Sequence, residues 1–447
     1  MIMKVHHEAC SQTVIITFNT ASPITEELME EALNILHDKF ESLRICFRFR
    51  QNKQWVADMP TRRLDFKSVS GDDPEKHISD LCSSSFDIHN GPLWKVRLMT
   101  SPPDAPCHFP EVKEKFPYQQ KLLLSLHHAA NDGRVMMLLV ESLLTILDHL
   151  LQGLCVDRQQ VGVLRDGIEA REEEHRIKTA LENDPVRLKA ALRELELANH
   201  VPLLVEAFGA VSEGSPSSHV LPSVQFDADV IKGIDHKCRS LGVSSNAFMT
   251  AVLNTALVEV VREAGLRRSS YLISSIHPVD SRRLMGKTSK PVLGYHGMPV
   301  TQTTATPHNV KDHFWGYLKH LNTELRRKLK GNHMCEERIL HAMLRPGSNN
   351  LETRYAKPLP LSYDYMFSNV YSPFSSPTGI GTLVHITSLC IHVAIHKQAY
   401  PVLFGFFSVR DKPFLEIIHS TATISKKVAH RLLNRTVVVL HDISRAL

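Results

Sequence analysis

The sequence predicts a mixed α/β fold in two domains, and three observations carry that expectation. The chain has 447 residues, more than one hydrophobic core usually organises, so two units of roughly 150 to 250 residues are expected. Period-two alternation and helical spacing interleave along it, so strands and helices are mixed in each part. Hydrophobic residues make up 43% and charged residues 22% of the chain, the balance of a soluble globular protein with a sizeable core.

Taken in order, SPITEELMEEALNILHDKF (22–40) has Ser22 as a candidate N-cap and Pro23 at the first helical position. Leu28, Ala32, Ile35, Leu36 and Phe40 follow at helical spacing, then Leu43, Ile45, Phe47 and Phe49 alternate as a strand with one buried face. GPLWKVRLMT (91–100) alternates as well, and QKLLLSLH (120–127) is a short apolar run suited to a central strand. In RVMMLLVESLLTILDHLL (134–151) the charges Arg134, Glu141 and Asp148 recur at one narrow stripe of an otherwise apolar helix.

Residues 165–205 are charged and helical in pattern, broken at Asn183-Asp184-Pro185, and GAVSEGSPSSHVLPS (209–223) reads as a loop between domains. Beyond it, VSSNAFMTAVLNTALVEVVREAG predicts a helix capped near Ser244 or Ser245 and ended at Gly265. YLISSIHPVDSRRL starts as a strand and ends in a turn, residues 383–409 alternate as strands, and ISKKVAHRLLNRTVVVLHDIS reads as a closing amphipathic helix.

Composition narrows the function classes. The net charge of +5 is small, and the basic clusters Arg267-Arg268, Arg282-Arg283 and Arg326-Arg327-Lys328 lack interleaved aromatics, which speaks against nucleic acid as a partner. The eight cysteines are scattered without a Cys-x-x-Cys pair, as in reduced, cytoplasmic proteins. No leader pattern opens the sequence and no apolar window approaches 18 residues, so a cytoplasmic protein without a transmembrane segment is expected. Gly-x-Ser-x-Gly, Walker and Gly-x-Gly-x-x-Gly motifs are all absent. His392 and His396 share one strand face but lie roughly 13 Å apart, too far to share a metal, and no metal is expected.

One stretch does not read as core. KLLLSLHHAANDGRVMMLL (121–139) interrupts an apolar run with His127, His128, Asp132 and Gly133. Side chains alternate along a strand, so His127 and His128 point to opposite faces, and one at most faces a cleft. Asp132 suits an N-cap and Gly133 a tight turn whatever the function. With 26 histidines in the chain, a His-His-x-x-x-Asp-Gly match by composition alone is expected on the order of once in a few hundred such chains. A histidine held in a cleft, its turn stiffened by a carboxylate, is what a general base near neutral pH requires. HHEACSQ (6–12) has no Asp-Gly and reads as structural.

HHAANDG (127–133) resembles the signature of the chloramphenicol acetyltransferase-like superfamily. That superfamily includes nonribosomal peptide condensation domains, alcohol and wax-ester acyltransferases, polyketide-associated acyltransferases and plant BAHD enzymes. ITEELMEEALNILHDKFESLRICFRFR, SFDIHNGPLWKVRLM, HPVDSRRLM and LGYHGMPV resemble further family segments, from about residue 20 onward. The resemblance implies two lobes, each a mixed β-sheet flanked by helices, with an active-site channel between them. The lobes would span 1–165 and 223–447, joined by a helical crossover at 166–222. His128 would be the general base, with His127 structural, Asp132 pairing with Arg282, and Gly133 admitting backbone close to substrate. Ser368 and Asn369 in YDYMFSNV look like the channel-side Ser-Asn segment that could support an oxyanion. Tyr371 stands where many relatives have Gly, and the BAHD Asp-Phe-Gly-Trp-Gly motif is absent.

The implied function is acyl transfer from a thioester to a hydroxyl or amine acceptor by a monomer, with no bound cofactor and with acyl-coenzyme A as co-substrate. Two other readings stay open: a condensation-type enzyme fed by a carrier protein, and a non-catalytic descendant that binds a ligand. Met136 and Phe367 are apolar candidates for the channel wall, although core packing is the commoner fate of such residues.

Overall fold

A computed structural model describes residues 11–50, 53–69, 74–165, 168–211, 217–285, 289–330, 333–343, 361–370, 382–395 and 398–445. Its strands are β1 (Ser11–Thr20), β2 (Ile45–Arg50), β3 (Lys53–Asp58), β4 (Phe66–Val69), β5 (Trp94–Thr100), β6 (Tyr118–His127), β7 (Ser218–Val220), β8 (Val224–Gln225), β9 (Ser270–Asp280), β10 (Gly297–Pro307), β11 (Tyr365–Asn369), β12 (Val384–Val393), β13 (Val402–Val409) and β14 (Lys412–Ser420). They form a sheet in the order β12-β1-β6-β5-β4, a second in the order β10-β9-β11-β13-β14-β7 with β8 also on β14, and the separate hairpin β2-β3. Helices pack on both sheets, giving two α/β lobes.

β6 is central in the first sheet and buried on both sides, as its unbroken apolar run requires. Leu122, Leu124 and Leu126 join the core built with the helices Glu26–Lys39 and Gly133–Leu151. Leu123 faces the other way, toward Leu81 of the helix Pro74–Ser83. In the second lobe Phe367, Phe404 and Leu415 pack with the helices Ser245–Glu263 and Lys426–Arg445. Met136 and Phe367 are both core residues, not channel lining.

Local chemistry moved three expected boundaries. Thr25, not Ser22, caps the first helix, with its side chain accepting from Leu28 N and Glu26 and Glu27 in the first turn. Residues 45–50 pair with β3 outside the main sheet. Within the expected loop at 209–223, Ser218–Val220 adds an edge strand to β14. The crossover helices Ile168–Glu182 and Pro185–Leu197 bury Ile177, Leu181 and Leu195 against Cys335, Ile339 and Leu340, so they are packed on the second lobe.

Two segments stitch the lobes together. β12 comes from the second half of the chain yet pairs antiparallel with β1 in the first sheet. Its start is held by Asp148, whose Oδ1 accepts from Leu383 N at 2.8 Å and Val384 N at 3.1 Å. Its far end is held by Glu416 of β14, whose Oε1 accepts from Ile391 N at 3.3 Å. The Glu416 carboxyl fills the space over Gly405, where a Cβ would come within 2.9 Å of it, and burial pushes it up to about 8.

The second stitch is residues 161–164. Val161 N donates to Lys39 O of the first lobe, Val163 N to Pro291 O, and Leu293 N back to Val163 O, at 2.8, 2.9 and 2.8 Å. Gly162 makes this possible: its φ is +76°, and a Cβ would lie 2.7 Å from Leu293 Cδ2 and 2.9 Å from Pro291 O. The loop 291–294 is thereby fixed against the first lobe, next to the residues described below.

Candidate active site

β6 ends at His127, and the chain then turns into the helix Gly133–Leu151. The turn is tied by Ala130 N and Asn131 Nδ2, which both donate to His127 O, at 2.9 and 3.0 Å. The two histidines part company there. His127 is fully buried, edge-on to Phe86 with centroids 5.5 Å apart and tilted against Phe47 at 6.3 Å. Its Nδ1 lies 3.1 Å from Ala129 N, an N–H that only donates, so Nδ1 accepts and the neutral ring carries its proton on Nε2.

His128 is half-buried and has the opposite tautomer. Its Nδ1 lies 2.9 Å from Asn131 O. A carbonyl only accepts, so the proton sits on Nδ1 and the neutral ring keeps its basic lone pair on Nε2. The face of the turn opposite the first lobe's core is met by Tyr295 of the second lobe, 5.1 Å from His128 between ring centroids and at 87° to it.

Asp132 links the lobes at this point. Oδ1 caps the helix by accepting from Val135 N at 3.1 Å, while Oδ2 accepts from Arg282 Nη1 at 2.7 Å and His296 N at 2.9 Å. Arg282 also donates from Nε to Val292 O at 2.7 Å, from Nη2 to Gly294 O at 2.8 Å and from Nη1 to Asp280 Oδ1 at 3.1 Å. The Asp132 and Arg282 side chains are only 9% and 8% exposed, so protein partners replace water around both charges: Arg282 and His296 N for Asp132, and Asp132, Asp280 and two carbonyls for Arg282. Burial pushes the Asp280 carboxyl up, but the Arg282 backbone N–H and guanidinium, together with Arg134, outweigh it and hold Asp280 below its usual value. Burial, with the nearby Arg282 charge, holds the His296 imidazole below its usual value.

Ser368 and Asn369 close β11, half-buried and in register with Gly405 and Phe406 of β13. The next residue along, Val370, approaches the His-His turn from the second lobe: a Cβ placed on Gly133 would lie 3.7 Å from Val370 Cγ1. Gly133 has no left-handed backbone, and that contact is an ordinary one, so the described residues supply no internal reason for glycine there. Tyr371 and His396 lie outside the described residues. His392 is buried and its Nε2 is 3.1 Å from Ser218 O, a strand-face packing position.

The structure thus gathers His128, Asp132, Gly133 and Arg282 at one point between the lobes and brings Val370, next to Ser368 and Asn369, up to it. Sequence reasoning matched the segments HPVDSRRLM and LGYHGMPV but gave no role to Asp280, Tyr295 or His296 within them, nor to Asn131. Tyr295 and His296 sit in LGYHG, where nothing periodic distinguishes them. A hollow of about 360 Å³ lined by His200, Leu203, Arg268 and Leu272 shares none of these residues. Among the described residues no group of three or more His, Cys, Asp or Glu side chains could hold a metal ion, and no single helix is long and apolar enough to cross a membrane.

Solved structures show the same architecture. The trichothecene 15-O-acetyltransferase TRI3 from Fusarium sporotrichioides aligns with a TM-score of 0.69 at 11% identity, over 98% of this chain and 92% of that one. The condensation domain of the monacolin K polyketide synthase MokA aligns at 0.64 and 14%, over 98% and 93%. Polyketide synthase associated protein 5 from Mycobacterium tuberculosis aligns at 0.59 and 14%, over 99% and 98%. No curated protein sequence matches. The condensation domain family model matches residues 2–264, which take in the first lobe apart from β12, the crossover and the second lobe up to the end of the helix Ser245–Glu263, and the chain therefore belongs to the condensation-domain family.

Proposed function

We propose that this protein is an acyltransferase that moves an acyl group from a thioester, acyl-coenzyme A, to a hydroxyl or amine acceptor, with His128 as general base. The observation that carries this reading is the 2.9 Å bond from His128 Nδ1 to Asn131 O. It puts the basic lone pair on Nε2, as a proton acceptor needs.

Nε2 takes the proton of the acceptor O–H or N–H as that atom attacks the thioester carbonyl, and the carbonyl electron pair moves onto oxygen. Ser368 and Asn369 are the donors we assign to that oxyanion. On collapse the C–S bond breaks, and the imidazolium returns its proton to the leaving thiolate. No acyl-enzyme is formed. Asp132 and Arg282 keep the turn and the facing lobe in place and take no proton.

A second reading takes the donor from a carrier protein. It is supported by the condensation-domain match and by alignment with part of a four-domain nonribosomal peptide synthetase, of which this chain covers 32%.

The test is thiol release from a panel of acyl-coenzyme A donors with pooled alcohols and amines, wild type against His128→Ala. Acceptor-dependent release that falls about 100-fold or more in the variant is expected. Absence of release from folded wild type, with turnover of carrier-loaded thioesters, would move the donor to the second reading. Absence with both donors would overturn acyl transfer.

A further inference from the structure

We infer that Tyr295 is the positioning residue for His128, supplied by the second lobe and seated by Gly297; this rests on His128 acting as the general base. The hydrogen bond to Asn131 O restrains one ring nitrogen, but the torsion that swings an imidazole about its Cβ–Cγ bond has broad wells. A ring packed against the imidazole narrows that torsion and with it the direction in which Nε2 points. Tyr295 provides that ring, edge to face with His128 at 5.1 Å and 87°, an arrangement aromatic pairs favour.

The Tyr295 backbone is clamped on both sides. Before it, Gly294 O accepts from Arg282 Nη2 at 2.8 Å, and after it, His296 N donates to Asp132 Oδ2 at 2.9 Å. His296 O accepts from Ser281 N and Oγ at 2.9 and 2.7 Å. The buried Asp132–Arg282 pair therefore holds the His128 turn from one side and the Tyr295 backbone from the other, which fixes the two rings in one frame.

Gly297 supplies the seat for the tyrosine ring. A Cβ there would fall 3.2 Å from Tyr295 Cζ and Oη and 3.3 Å from Cε2, and the backbone is not left-handed. Room for the ring, not backbone freedom, is what glycine gives at this position. An added methyl would push the tyrosine against His128 or away from it.

The experiment combines histidine ¹⁵N NMR with turnover for Tyr295→Phe, Tyr295→Ala, Gly297→Ala and the double variant, with the His128 signal assigned through His128→Ala. Wild type and Tyr295→Phe are expected to share the Nδ1–H tautomer and one titration midpoint for His128. Tyr295→Ala is expected to change both and to lower kcat about 10- to 100-fold, with a shifted pH–rate midpoint. Gly297→Ala moves the same readouts less, and the double variant is no worse than Tyr295→Ala alone, because the clash needs the ring.

A Tyr295→Ala spectrum with His128 unchanged, or effects of the two substitutions that multiply, would overturn the assignment. If Tyr295→Ala does not fold, Tyr295→Leu carries the same test. Should no thioester be turned over by wild type, acyl transfer falls, while the NMR comparison still decides whether Tyr295 sets the His128 ring.

Discussion

Asp132 and Arg282 stand 150 positions apart in the chain, yet their side chains meet at 2.7 Å with almost no solvent around them. One oxygen of the same carboxylate caps a helix of the first lobe while the other takes a guanidinium and a backbone N–H from the second. Asp132→Ala removes the more buried of the two carboxylates on Arg282, leaving Asp280, and also removes the helix cap, and is expected to cost about 3 kcal/mol in chemical denaturation. Asp132→Asn costs less, since asparagine still caps the helix. Arg282→Lys does not behave conservatively, because an ammonium cannot reach Asp132, Val292 O and Gly294 O together as a planar fork does. Asp132→Ala and Arg282→Lys combined should be strongly non-additive.

Adjacent histidines should fail in different ways. His127→Ala empties a site between Phe86 and Phe47 and is expected to lose about 2–5 kcal/mol of stability, as for other large buried side chains. His128→Ala should change stability by roughly 1 kcal/mol or less while abolishing most turnover. Thermal melts and thiol release on the same preparations separate the two effects.

Gly162→Ala tests the stitch beside the site, with Gly209→Ala as its control. Both glycines have positive φ, +76° and +77°, but a Cβ on Gly209 meets nothing within 4 Å whereas one on Gly162 strikes Leu293 and Pro291 O. Gly209 has a ψ of 159°, in the extended positive-φ region that glycine alone fills readily, so Gly209→Ala should cost about 1–3 kcal/mol from backbone strain alone. Gly162→Ala should cost more and should also reduce turnover, because the loop it displaces carries the Val292 and Gly294 carbonyls that hold Arg282.

Glu416 should leave a mark on the pH dependence of stability. Its carboxyl is raised from its ordinary 4.5 to about 8 by burial, so the folded chain keeps a proton that the unfolded chain releases. Its contribution is then fully present below pH 4.5 and is lost as pH rises through about 8, above which it no longer changes. Glu416→Gln removes that slope: the variant gains on wild type as pH increases across this window. Denaturation midpoints of both proteins at several pH values check it.

The helices and strands were legible because each carries its own period. QKLLLSLH announced a strand buried on both faces, and Ser244 or Ser245 marked a helix start, of which the structure uses Ser244 as the cap. What was not legible is pairing at a distance. Nothing in VHITSLCIHV says that it leaves its neighbours in sequence to lie against β1, since register depends on which partner is present. Thr25 outcompeted Ser22 as a cap by geometry three residues on, and Ser218–Val220 is too short to show a period. At the site, the chemistry of His128 and Asp132 stood out because polar residues interrupted an apolar run. Tyr295 did not, since one more aromatic in a glycine-rich turn carries no local signal of what it faces.

The exchange of β12 sets an order of assembly during synthesis. β1 emerges first, and β6 can pair with one of its edges as soon as residue 127 has left the ribosome. Its other edge waits for residues 384–393. Until then the nascent first lobe exposes a strand ladder with no partner, an edge open to pairing with other chains. A fragment cut at the crossover would keep that exposed edge permanently, because the first sheet is completed only by chain from beyond the crossover.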